Sequence, residues 1–431
     1  MTERVKIDGR LGLLFCVMLV TGAGNTALQS VLPAIGRSIG VADSIIATIF
    51  SISALLWVFS APFWAARSDR KGRRGMVVLG IAGFTVSTAL VAAILYAGLN
   101  GWMAPLATML AIIAARMIYG TFGSAAPPAA QAIVALSTTR EQRVKALTLL
   151  GSAFGLGTII GPALAPYLVF PGIGLAGPAT MFALLGAGVA IAAMIWLPKD
   201  EGLAGDRAHG ASVSYPSIGG APAGTSVTAA TEDRAPNLPL RDPRIWPWML
   251  AGLVMGHAQA MTGAAMGFLV IDRLGLPVTE IATQQAIGLV LMAGAGAALL
   301  VQWGLIPLLD LPPRGMMFVG LALSIVGLAA TAFAGSLYGI ATAYALSSMG
   351  FGFTRPSFVA GSSLAVGRSL QGAVAGRVTS VNGASFVLGP SIGVGLYELY
   401  RPAPFLAAAL VMAAMIPYAI ARLKPSDSPA N

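Results

Sequence analysis

Three charged or titratable side chains stand inside stretches that otherwise carry no charge: Arg116, His257 and Arg355. A guanidinium in hydrocarbon is costly, so each arginine must face a partner or a wet cavity, and either arrangement makes it a candidate for function. Imidazole is the side chain whose ordinary titration falls nearest neutral pH, so His257 could carry a proton. Asn25 and Gln29 are four residues apart and would share one face of a helix. The acids are distributed in the opposite way. All sixteen lie in loops or near the ends of apolar runs, the nearest being Asp43, Asp272, Glu280, Asp310 and Glu398. The interior of the runs therefore holds cations and amides and no carboxylate. Cys16 is the single cysteine, which leaves no disulfide within one chain and no thiolate metal cluster. No phosphate-binding loop and no nucleophile–base signature occurs. The expectation is no catalytic residue, no metal and no cofactor, and the chain reads as not an enzyme.

The elements that must position these groups are membrane helices. Of 431 residues, 56% are hydrophobic and 10% charged, with a mean hydropathy of +0.80. Soluble domains carry about 25% charged residues, which excludes that class. Spans of about 20 residues or more suffice to cross a bilayer. Twelve are expected: 11–36, 44–66, 75–97, 103–136, 146–170 and 178–197, then 245–271, 281–309, 315–334, 337–366, 373–400 and 403–421. The first apolar run, from Leu11, is too long for the core of a cleavable signal and is read as a retained helix. With the N-terminus inside, 21 of the 26 Lys and Arg fall on the inner side. Three, Arg37, Arg273 and Arg401, fall outside, and Arg116 and Arg355 lie within spans. That bias places both termini in the cytoplasm. It also accounts for the net charge of +10 without a nucleic-acid partner.

Between spans six and seven, the stretch from Gly202 to Pro239 is rich in Gly, Ala, Ser, Thr and Pro. Such a segment cannot bury a core. Residues 198–244 are therefore expected to form a cytoplasmic, largely disordered linker. It divides an N-terminal six-helix bundle, 1–197, from a C-terminal one, 245–431. Trp246 and Trp248 mark the membrane interface where the second bundle begins.

The two halves echo each other. The passage from Met109 to Leu168 returns 228 residues later: Pro128 as Pro356, Arg140 as Arg368, Gly155 as Gly383, and Gly161-Pro162 as Gly389-Pro390. Duplicated bundles of this kind are common among membrane transporters. Gly151 with Gly155, and Gly157 with Gly161, are pairs at i,i+4 that would let helices approach closely. Pro162 removes a ladder hydrogen bond and should bend its helix.

The turn after span two reads Arg67-Ser68-Asp69-Arg70-Lys71-Gly72-Arg73-Arg74. It resembles the signature loop of the major facilitator superfamily, G-x-L-[AS]-D-R-x-G-R-[RK]. Ser68, Asp69, Arg70, Gly72, Arg73 and Arg74 fit, whereas Ala65 and Arg67 replace the first Gly and the Leu. Arg116 with Gly120 resembles the R-x-x-x-G of the superfamily's fourth helix. Gly157, Gly161 and Pro162, with Ala165 in place of a final Gly, resemble the fifth-helix motif of its drug:proton antiporter branch. Gly389 and Pro390 repeat that motif in span eleven.

This resemblance implies an all-α membrane fold of twelve transmembrane helices in two pseudo-symmetric six-helix bundles. It implies an inner latch from Asp69, Arg70, Gly72, Arg73 and Arg74, and a substrate cavity lined from spans 1, 4, 7 and 10 by Asn25, Gln29, Arg116, His257 and Arg355. His257, Arg116 and Asp69 become candidates for proton coupling. The expected function is secondary active transport: proton-coupled export of small amphipathic molecules, neutral or anionic, by alternating access. An uptake permease or facilitator for a small metabolite is the alternative the same fold allows. The expected partners are the lipid bilayer, a small-molecule substrate and protons, the expected location is the inner (plasma) membrane, and the expected state is monomeric.

Overall fold

A computed structural model of the chain describes residues 9–137, 140–197, 238–278, 280–367 and 370–423. The expected linker lies almost wholly outside the described residues. So do the side chains of Asp69 and Arg70, and Arg368.

Long apolar stretches punctuated by Pro and Gly give helices with sharp ends. They are α1 (Gly9–Ile39), α2 (Asp43–Lys71), α3 (Arg73–Leu99), α4 (Pro105–Phe122), α5 (Ala126–Ser137), α6 (Arg140–Leu164) and α7 (Gly177–Trp196). They continue with α8 (Trp246–Leu274), α9 (Ile281–Leu300), α10 (Ile306–Leu309), α11 (Pro313–Phe333), α12 (Leu337–Leu364), α13 (Gln371–Leu399) and α14 (Ala403–Arg422). A 3₁₀ turn, Gly123–Ala125, joins α4 to α5. A π turn, Val301–Leu305, joins α9 to α10. Both junctions keep helical backbone angles, so the fourteen helices among the described residues make twelve rods. Ten of these are long and apolar enough to cross a membrane. The other two, α12 and α13, are 28 and 29 residues long but carry many Ser, Thr, Asn and Gly residues and pack between other helices.

Proline opens several rods, as at Pro105, Pro178, Pro247 and Pro404, where its missing N–H costs nothing. Between α2 and α3 the chain turns on one residue. Gly72 has φ +98° and donates its N–H to the Ser68 carbonyl at 3.1 Å, a conformation glycine reaches without steric penalty. Phe59, Leu308 and Leu410 stand more than 70% exposed on the outside of the rods. Large apolar side chains left in the open on this scale belong against lipid.

The rods form two bundles with matching internal contacts. In the first, α1 packs on α6 and α7, and α3 on α4 and α7; in the second, α8 packs on α13 and α14, and α11 on α12 and α14. The pairs α1–α6 and α8–α13 are held close by the duplicated Gly-Pro motif. A Cβ on Gly161 would sit 2.3 Å from the Ala23 carbonyl oxygen, and one on Gly157 2.7 Å from the Leu19 carbonyl oxygen. On α13, a Cβ on Gly389 would meet the Ala260 methyl at 2.6 Å, and one on Gly393 the Met261 carbonyl oxygen at 2.2 Å. Contact at backbone distance is how helices associate where lipid removes the hydrophobic driving force.

Between the bundles, α2 meets α13, α6 meets α9 and α1 meets α8. Ser51 and Ser391 hydroxyls are 2.8 Å apart. Gly288 on α9 lies against the Pro162 carbonyl, and Gly267 on α8 against the Pro33 ring. Ser51, Ser391, Gly288 and Pro33 sit six to eight positions from the helix ends at Asp43, Leu399, Ile281 and Ile39. The junction is therefore tightest at one end of the molecule, called here the Arg37 end.

Candidate functional site

The close contacts at the Arg37 end close one side of a cavity of about 160 Å³ between the bundles. Its walls come from α1, α2, α6, α8, α9, α12 and α13, and from the π turn. Phe50, Phe268, Phe351 and Phe386 supply broad apolar surfaces. The polar groups are Thr26, Gln29 and Thr158 from the first bundle, and Gln259, Gln302, Tyr344, Ser348 and Arg355 from the second. Among the described lining residues there is no Asp or Glu. An apolar volume with a few polar groups and one guanidinium is the composition of a small-molecule site.

The five expected lining residues divide. Gln29 and Arg355 line the cavity; Asn25, Arg116 and His257 do not. Arg116 is 1% exposed. Its Nη2 donates to Asn25 Oδ1 at 2.6 Å, and its guanidinium lies over the rings of Tyr119 at 4.6 Å and Phe50 at 5.6 Å. Phe50 itself faces the cavity, so Arg116 stands one layer behind the wall. Its backbone carbonyl accepts from Ser53 at 3.1 Å, tying α4 to α2. The expected lining from span 4 is thus corrected: no residue of α4 or α5 reaches the cavity. The physical reason is satisfaction of the charge within the first bundle, by an amide and two π faces.

His257 is half-buried on α8, and its Nδ1 lies 2.8 Å from the Leu253 carbonyl. A carbonyl only accepts, so Nδ1 carries the proton and Nε2 is the atom left to gain one. The cavity-facing positions of α8 are Gln259, Ala260, Gly263, Ala264 and Phe268, and His257 is not among them. The motif residues fall into structural places. Pro162 and Pro390 line the cavity from opposite bundles, next to the glycines Gly161 and Gly389 that bring their helices onto α1 and α8. Arg73 is buried at the start of α3, and Arg74 donates to the Met194 carbonyl, joining α3 to α7.

At the Arg37 end, charged groups from both bundles form a cluster. Arg37 of α1 pairs with Asp43 at 2.7 Å and, across the junction, with Asp272 of α8 at 2.6 Å. Asp272 also takes the Tyr397 hydroxyl of α13 at 2.6 Å and lies 3.3 Å from Arg401. Glu398 accepts the Ser44 N–H at 2.8 Å, a second bond between bundles. Arg37 further lies 5.4 Å from the centre of the Phe268 ring. The sequence does not mark Tyr397 or Ser44; it marks Arg37 and Arg401 as outer charges and Asp43, Asp272 and Glu398 as acids at span ends. Their opposite signs at one membrane face were the available signal, but which ends meet is set by packing of helices 235 residues apart.

Comparison with known proteins agrees with this architecture. The family model described as Major Facilitator Superfamily matches residues 14–390. The chain is 30% identical over 149 residues to the tetracycline resistance protein, class B, of Escherichia coli, a match covering 34% of each. It is 31% identical over 120 residues to the multidrug resistance protein MdtG of Dickeya zeae (strain Ech586), covering 28% of this chain and 26% of that one. The matches span about a third of the length of these curated relatives or less. Among solved structures, the human organic anion transporter MFSD10 (TETRAN) is 18% identical with a TM-score of 0.61, covering 95% of this chain and 98% of that one. A bacterial homolog to the human lysosomal transporter Spinster, inward-facing and unoccupied, is 13% identical with a TM-score of 0.64, covering 98% and 96%. At these identities the likeness is one of fold.

Proposed function

Because the chain belongs to the major facilitator superfamily and is a membrane transporter rather than an enzyme, we propose that it is a proton-coupled exporter of small amphipathic molecules, neutral or anionic, working by alternating access. The observation that carries this reading is the cavity between the bundles: apolar walls, amides and one guanidinium, with no carboxylate among its described lining. A cation entering it would meet repulsion in a low-dielectric space, whereas an anion would gain charge-assisted hydrogen bonds. Export is supported by the Gly-Pro motif in α6 and α13 and by the names of the relatives, which are resistance and efflux proteins.

In this reading residues 1–197 and 245–431 move as two bodies about the cavity, with 198–244 as a cytoplasmic tether, both termini in the cytoplasm and the chain acting as a monomer in the inner membrane. The Lys and Arg bias supports that orientation, and it makes the Arg37 end the outer one. The structure is then the outward-closed half of the cycle. Transport into inside-out vesicles, with and without an imposed pH gradient, tests the proposal. Gradient-driven accumulation of neutral or anionic amphipaths is expected. Accumulation of quaternary ammonium compounds above all others would overturn the charge argument, and equal rates with and without the gradient would overturn proton coupling.

A further inference from the structure

A small recess adjoins the central cavity between α8, α12 and α13. The two spaces share Gln259, Phe351, Arg355 and Phe386 as walls, and the recess adds Thr354 and Asn382. Two glycines of α8 let its neighbours close around it. A Cβ on Gly252 would meet the Phe358 ring at 2.6 Å, and one on Gly256 the Ser385 hydroxyl at 2.2 Å. The recess is about 10 Å³, room for roughly one water-sized group.

Its chemistry is donor-rich. Arg355, 9% exposed, is one of its walls, and a guanidinium carries hydrogen-bond donors only. Asn382 is 5% exposed, and its Nδ2 has no hydrogen-bond acceptor among the described residues. A buried amide donor left without an acceptor is costly, and in a recess that shares four walls with the central cavity the missing partner can be a ligand atom. The described lining of the recess contains no Asp or Glu. We propose that this recess is an anion subsite: it seats one oxygen of a carboxylate between Arg355 and Asn382, while the apolar body of the same molecule lies against Phe50, Phe268 and Phe351 in the main cavity. Asn382 thereby becomes a specificity residue that its position in the sequence does not announce.

This inference rests on the reading of the central cavity as the place where substrate binds, and the test separates the two. The full-length protein is placed in phosphatidylcholine nanodiscs, so that no anionic lipid competes. Binding is measured for a series of arylalkanoates and for the primary amides of the same acids, which match them in shape and lack the charge. The readout is the affinity ratio of acid to amide. The parent protein should favour the acids by about tenfold or more, the scale of one hydrogen bond to a charged group. Arg355→Gln should bring the ratio close to one, Arg355→Lys should keep part of it, and Asn382→Leu should lower it several-fold. Equal affinity for acids and amides in the parent would overturn the subsite and leave the amphipath site standing. Equal weakening of acids and amides by Asn382→Leu would also overturn it, by making the residue structural. Binding of neither series would overturn the subsite and the amphipath reading together.

Discussion

The buried charge of the first bundle and the polar wall of the cavity are chemically similar and physically separate. Arg116 donates to Asn25 at 2.6 Å, while Gln29, one turn along α1, faces the cavity. The two α1 amides should therefore fail in different ways. Asn25→Leu removes a hydrogen bond to a buried guanidinium and should cost about 1.5–3 kcal/mol of stability, seen as a lower melting temperature in detergent. Gln29→Leu should leave the melting temperature unchanged and alter the transport rates of polar substrates relative to apolar ones. Proton movement gives a second contrast. The described cavity lining holds no Asp, Glu or His, so in the proposed proton-coupled cycle the carrier would lie outside it, and His257 is the candidate, with only its Nδ1 bonded among the described residues. With His257→Gln, vesicles should still exchange substrate down its gradient and lose the response to an imposed pH difference. A preserved response would remove His257 from the coupling path. The residue types were legible in the sequence; their neighbours were not. Helical spacing says that Asn25 and Gln29 lie on one side of α1, but 100° per residue leaves room for one to face a bundle interior and the other a cavity. Gln302 shows the same limit, since it reaches the cavity from a π turn, a local widening that tends to mark functional positions and has no residue signature.

Among elements, the Gly-Pro motif explains why α1 and α6 form a unit and why α8 and α13 form its counterpart. Here the sequence was informative, because glycine at i,i+4 before a proline in a membrane span has few purposes other than close approach. It did not reveal which helix would be approached. The distances make the claim quantitative. Gly161→Ala would push a methyl to 2.3 Å from the Ala23 carbonyl oxygen and from Thr26 Oγ1. Overpacking of this kind costs about 1–3 kcal/mol. Gly395→Ala, on α13 with nothing within 4 Å, should instead stabilise by up to about 1 kcal/mol through helix propensity. Thermal unfolding of the two variants, purified in the same detergent, should move in opposite directions. Span limits agree with the helices to within a few residues at most ends. The largest differences are α2 and α6, which run on to Lys71 and back to Arg140, because basic residues at a membrane surface continue a helix as readily as they interrupt hydropathy.

For the whole molecule, the proposed alternating-access cycle would make the Arg37 end, where charged groups of both bundles meet, one of its two gates. Arg37 and Tyr397 both bond Asp272, so one carboxylate joins α1 of the first bundle to α8 and α13 of the second. In the proposed cycle Asp272→Asn should shift the population towards the state open at this end, and Asp69→Asn should weaken the latch at the opposite end and shift it the other way. The readout is the rate at which an impermeant maleimide reaches Gln29→Cys from outside intact cells, in a background with the exposed Cys16 replaced by Ser. Asp272→Asn should raise that rate several-fold and Asp69→Asn should lower it; equal rates in both would remove these carboxylates from the gating. The Ser51–Ser391 contact carries this further. Two hydroxyls 2.8 Å apart across the junction mark positions where two thiols could join. If the Arg37 end faces the oxidising side of the membrane, Ser51→Cys with Ser391→Cys would crosslink without added oxidant. In the proposed export cycle, a cell making that variant would hold a full complement of folded protein, all of it stalled. A membrane-impermeant reductant in the medium would free the junction within minutes, so that transport itself could be switched on and off by redox chemistry from outside the cell.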